Sequence, residues 1–165
     1  MKTSVQLANR FREVILNGKW VANTNLRDQL TGVTLEQALT KVGSLNSIAS
    51  LTFHINYYIS GVLNVFEGGE LEIRDKYSFD MPPLRSEEDW HKLTSELWAN
   101  AEKFADHVEV MPEEKLEQVF VDEKYGDFRR SIEGMIEHSY YHLGQITLIK
   151  KLIAEKQGSK ATDHQ

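Results

Sequence analysis

The chain has 165 residues, with 19 Lys and Arg against 25 Asp and Glu, a formal net charge of −6 and no cysteine. That length suits one domain with a real core. An acidic balance without a basic stripe argues against a nucleic-acid surface, and the absence of thiols excludes disulfides and Cys-ligated zinc. No run reaches the eighteen or so apolar residues of a spanning helix, and Met1–Gln6 lacks the apolar core of a signal peptide, so a cytoplasmic protein off the membrane is expected.

In chain order, Val5, Ala8, Phe11, Ile15 and Leu16 keep a 3-4 spacing that predicts a first helix from Ser4 to Asn17, stopped by Gly18. Asn25–Leu30 reads as a short helical piece. Thr34-Leu35-Glu36-Gln37 is a capping-box pattern opening another. Ser44 or Ser47 then caps a second long helix to about Glu67, with Ile48, Leu51, Ile55, Tyr58, Ile59, Val62 and Phe66 as its buried stripe. Residues 68–85 form a long connection in which Leu71 and Ile73 alternate with charges, a weak strand signal that would pair with Val119–Val121. Connections of this length serve as lids, subunit contacts or plain surface crossovers.

Ser86-Glu87-Glu88-Asp89 caps a third long helix running to Pro112, with acids where the helix dipole favours them. His91 and His107 fall off its apolar repeat and are expected in solvent. Asp127 caps a fourth long helix reaching about Lys156, and the tail 157–165, with His164, is expected to be disordered. Four amphipathic helices in one chain predict an all-α domain over residues 1–156, a four-helix bundle with short extra helices and a long connection between helices two and three.

The stretch that stands out is Ile136-Glu137-His138-Ser139-Tyr140-Tyr141-His142-Leu143-Gly144-Gln145-Ile146. Residues four apart on a helix share a face, so His138 and His142 can close on one cation. With six histidines in the chain, chance supplies roughly 0.2 such pairs, so the spacing by itself is weak. Two ordinary histidines, one packed and one wet, remain an equal alternative on spacing alone. Both, however, border or enter the apolar stripe of Phe128, Met135, Leu143, Ile146, Ile149 and Ile153. Buried neutral imidazoles need partners, which a shared cation or hydrogen bonds would provide. In a bundle, metal ligands project inward from facing helices, and His54 flanks the stripe of helix two, where a lone histidine is more simply a core-edge residue bonded to a carbonyl. The trio His54, His138 and His142 would offer three neutral nitrogens and an open position to Zn²⁺, Ni²⁺, Co²⁺ or Fe²⁺. Ser139 stands where a zinc-protease motif needs Glu, and Glu137 points about 100° from His138. Tyr58, Tyr141 and Gln145 lie close enough in helical angle to line the site or bond near it, although packing and bonds to a neighbouring element are the simpler roles.

Three segments carry a wider likeness: Gly18-Lys19-Trp20-Val21-Ala22-Asn23, Ser47 to His54, and Glu137-His138 through His142-Leu143-Gly144-Gln145-Ile146. Over roughly residues 3–155 the chain resembles the DinB/YfiT-like family of bacterial metalloenzymes. The resemblance implies a four-helix bundle with a three-His divalent metal site, usually zinc or nickel, with His54, His138 and His142 as ligands. It also implies a homodimer. Some branches of that family resemble thiol-dependent transferases or isomerases that use low-molecular-weight thiols. The expected function is therefore that of a metal-dependent enzyme acting on a small-molecule substrate, as a thiol transferase or by metal-assisted hydrolysis; Fe, Co or Mn are further candidate metals. The competing expectations are a non-catalytic metal- or small-ligand-binding stress-response protein, and a structural bundle whose histidines are merely buried.

Overall fold

The computed structural model describes residues 2–162, and the side-chain environments of residues 2–158. Among the described residues the chain is all-helical, without a strand. Seven α-helices follow in order: α1 Thr3–Arg12, α2 Leu26–Leu30, α3 Leu35–Leu39, α4 Ile48–Phe66, α5 Glu87–Val110, α6 Glu113–Leu116 and α7 Phe128–Thr162. None of them is long and apolar enough to cross a membrane.

Local chemistry sets most of the helix starts. The Asn25 side chain accepts from the Asp28 N–H, Ser47 from Ser50, and Asp127 from Arg130. Thr34 with Gln37, and Ser86 with Asp89, close full capping boxes. Each satisfies backbone donors that the first turn would otherwise leave open. α1 has no side-chain cap of its own. Its first N–H groups, those of Ser4 and Thr3, donate to the Glu113 carboxylate at 3.0 and 3.1 Å, and these bonds hold that carboxyl down to about 2.

α1 and α4 both lie against α5, and α7 packs on α4 and α1. Their facing stripes make one core: Phe11 stacks on Phe104 at 4.3 Å, and Ile15, Ile55, Ile59, Leu97, Ile132 and Ile146 are fully buried. Each such side chain removed from water contributes about 1.5–3 kcal/mol. α2 and α3 add Leu26, Leu30 and Ala38 to the same core.

Three expectations are corrected. The first helix does not stay α-helical to Asn17: from Glu13 it widens into a π-helical turn that ends at Gly18. The expected pairing of Leu71–Ile73 with Val119–Val121 does not form. Ile73 instead packs on α4 at Gly61, where an added Cβ would lie 2.4 Å from its Cγ2, so a larger residue there would push the Ile73 side chain aside. Val119 forms an isolated antiparallel bridge with Asp127. Finally, α7 continues past Lys156 to Thr162; the last part of the expected disordered tail, with His164, lies outside the described residues. His91 is exposed as expected, while His107 is half-buried, 3.9 Å from Glu67.

Candidate metal centre

His54 projects from the middle of α4, and His138 and His142 project from successive turns of α7, which packs against it. The three rings come together. His138 Nε2 lies 3.1 Å from His54 Nε2 and 2.9 Å from His142 Nε2, and one nitrogen of each ring falls within 4.8 Å of the others. His54 and His142 are buried, at 7% and 5% exposure, and His138 is half-buried.

The far sides of the rings fix what the near sides present. His54 Nδ1 lies 3.2 Å from the Ser78 carbonyl oxygen, which can only accept, so Nδ1 carries the proton. His142 Nδ1 donates to Gln145 Oε1 at 2.7 Å. Both rings therefore turn a bare Nε2 lone pair toward His138. His138 Nδ1 is buried without a hydrogen-bond partner among the described residues. If its proton sits on Nε2, it serves one of the two facing lone pairs and leaves the other opposed. If the proton sits on Nδ1, three lone pairs converge. A single proton cannot satisfy the cluster, but one cation can.

The electrostatics agree with that arithmetic. Burial holds all three imidazoles below their ordinary value, His138 the most, at about 4, where the neighbouring His142 and His54 add to the effect of burial. The rings are thus neutral at pH 7, the state in which imidazole ligates metals. A cation about 2.0–2.1 Å from each nitrogen would set them about 2.9–3.4 Å apart, for angles between an octahedral face and a tetrahedron. The two separations to His138, 3.1 and 2.9 Å, fall in this range, and the three nitrogens lie within 4.8 Å of one another. Two of the three rings also have the outward N–H bond that metal-ligating histidines use to fix tautomer and orientation.

Compared with family models, with curated proteins and with solved structures, the chain matches none of them. His54, His138 and His142 lie close together and form a group that could hold a metal ion.

Around them, the remaining sequence candidates take different places. Tyr58 stands edge-on to His54 and His138, with ring centroids 5.0 and 5.2 Å away. Its hydroxyl donates to Asp75 Oδ1 at 2.7 Å, and burial followed by that bond raises its pKa, so it stays protonated. Gln145 bonds His142 on its own helix, one turn along. Tyr141 touches the His142 ring edge-on at 5.0 Å but is largely exposed. Glu137 lies on the surface, 3.3 Å from Arg130, and the Ser139 hydroxyl is spent on the Met135 carbonyl of its own helix.

Ser78, Phe79 and Asp75, all in the connection between α4 and α5, are site neighbours that sequence reasoning passed over. Phe79 stacks on the His54 ring at 4.0 Å and 12°. Tyr57 ties the same connection down, its hydroxyl donating to the Arg74 carbonyl at 3.0 Å and accepting the Arg74 N–H at 2.8 Å. The one available signal was composition: a Tyr77-Ser78-Phe79 run just ahead of Met81-Pro82-Pro83 places an aromatic cluster where no long helix can run on.

Proposed function

We propose that this chain is a metal-dependent enzyme of the DinB/YfiT-like kind, a four-helix bundle in which His54, His138 and His142 hold one divalent ion. One observation carries the proposal: three Nε2 atoms converge while the Nδ1 protons of His54 and His142 are committed elsewhere. Mutual packing of α1, α4, α5 and α7 supports the bundle. Three neutral nitrogens suit Zn²⁺, Ni²⁺, Co²⁺ or Fe²⁺ better than the oxygen-seeking Mg²⁺ or Ca²⁺.

When bound, such an ion supplies Lewis acidity that lowers the pKa of a thiol or water reaching its open position. The chain's own contribution is orientation and protonation state. The Ser78 carbonyl and Gln145 aim two rings, burial keeps all three uncharged, and Tyr58 stays a hydroxyl beside them. The substrate class that follows is a small electrophile, attacked by a low-molecular-weight thiol or by water. The resemblance adds a homodimer to this picture.

The test is metal analysis of the full chain purified without a histidine tag, followed by turnover assays on a panel of electrophiles with and without thiols. About one tightly held divalent ion per chain and metal-dependent turnover are expected. Absence of bound metal would remove the site; bound metal without turnover would leave a metal- or small-ligand-binding protein.

A further inference from the structure

We propose that the segment from Glu70 to Phe79 is a strap whose docking on α4 is coupled to ion binding at the three histidines, with Tyr57 and Tyr58 as its positioning residues; this rests on the metal centre proposed above and adds a means of regulating it. The strap runs back along one face of α4. Asn64 donates to the Glu70 carbonyl at 2.8 Å, and Ile73 packs over Gly61. Tyr57 holds both backbone groups of Arg74, and Tyr58 donates to Asp75 Oδ1. Last, His54 meets the Ser78 carbonyl and the Phe79 ring. Positions 54, 57, 58, 61 and 64 fall at i, i+3, i+4, i+7 and i+10, which is a single stripe of a helix. The ties follow that stripe down to a candidate metal ligand.

Asp75 joins the tyrosine to the histidine. Its carboxylate accepts from Tyr58, while its carbonyl accepts the Ser78 N–H at 3.0 Å and the Ser78 hydroxyl at 2.8 Å. The turn that presents the Ser78 carbonyl to His54 is thus anchored on α4 through Tyr58. Residues 74–77 are exposed, so hydrogen bonds on one face hold this turn rather than core burial, and such a segment opens locally. The bond between His54 Nδ1 and Ser78, 3.2 Å long, carries the coupling in both directions. A cation on Nε2 keeps the ring's proton on Nδ1 and strengthens that N–H as a donor, so the strap docks more firmly. A docked strap in turn fixes the tautomer and direction of the ring, so the ion is held more tightly. Linkage makes the two effects equal in size.

The experiment follows amide exchange of the full chain with and without saturating Zn²⁺, and measures Zn²⁺ affinity by competition with a chromophoric chelator. Zn²⁺ should slow exchange at Arg74, Tyr77 and Ser78 about tenfold, while the 3-10 turn Glu123–Tyr125, which has no part in the strap, changes less than about twofold. Replacing residues 74–79 by a Gly-Ser linker of equal length should weaken Zn²⁺ binding by the same factor, about tenfold. The paired change Tyr57→Phe and Tyr58→Phe keeps both rings and removes three of the ties. It should speed exchange in the metal-free strap and give an affinity between those of the parent and the linker variant. This pair, and the exchange of the parent itself, carry the test even if the linker variant does not fold. Zn²⁺ bound with strap exchange unchanged, or bound as tightly without the strap as with it, would overturn the coupling and leave the metal centre standing. No Zn²⁺ bound by the parent would overturn the centre and the coupling together.

Discussion

Two connections of the molecule differ in length and in what they do. The one between α1 and α4 carries two short capped helices and buries Leu26, Leu30, Val33, Ala38 and Val42 in the core. The one between α4 and α5 holds a single 3-10 turn, Asp75–Tyr77, and among its described residues from 67 to 86 only Ser78 is buried. Ser78 is the residue whose carbonyl meets His54. The first connection therefore belongs to the stability of the fold, and the second to the site. A segment with so little core burial opens at low cost, which suits a wall that a ligand must pass.

The sharpest break of that contrast comes from the site itself. His138→Ala or His142→Ala should lose most of the bound metal, on the order of a hundredfold in affinity, while far-UV circular dichroism stays that of the parent; wholesale helix loss would instead make the cluster structural. Next comes the core side of the comparison. Leu26→Ala should cost about 2–5 kcal/mol of stability in denaturant titration, with the metal affinity of the folded protein unchanged. A loss of metal affinity in that variant would erase the distinction between the two connections.

The pH dependence is intermediate in size. Burial depresses the histidines of the metal-free fold, His138 to about 4 against an ordinary 6.5. As pH falls, the unfolded chain takes up these protons first. Stability is therefore present above about 6.5 and lost as pH drops from there toward 4, by several degrees in Tm. Bound metal should leave over the same range. His138→Ala should flatten the decline of the metal-free protein; an unchanged profile would place the responsible groups elsewhere. The smallest effect is local. Tyr57→Phe removes both bonds to Arg74, about 1 kcal/mol, and should speed amide exchange across residues 70–80 while barely moving the global Tm.

Whatever rests on local chemistry was legible in the sequence. Ser47, Ser86, Thr34 and Asp127 announce helix starts because a cap acts within three residues, and all four caps are formed. His138 and His142 meet because helical geometry leaves them no alternative. His54 joins them because its helix face was readable from the stripe around it. The π-helical turn at Glu13–Asn17 was hidden, since one extra residue in a turn hardly disturbs the apolar spacing. The alternation of Leu71 and Ile73 was misleading: both are half-buried on the flank of the fold, and no strand ladder lies behind the pattern. Phe79 and the Ser78 carbonyl left only a compositional trace, the aromatic run ahead of the prolines. Their place against His54 is a contact across 24 residues of sequence by an irregular segment, and no period encodes it.

Two of the three donors ride on one helix, whereas the third sits 84 positions earlier in the chain. A nascent α7 would carry only a bidentate grip, and the tridentate one would exist only after α4 has docked. Ion capture would thus be a late event in the life of the chain, its strength a gauge of whether two distant helices have met.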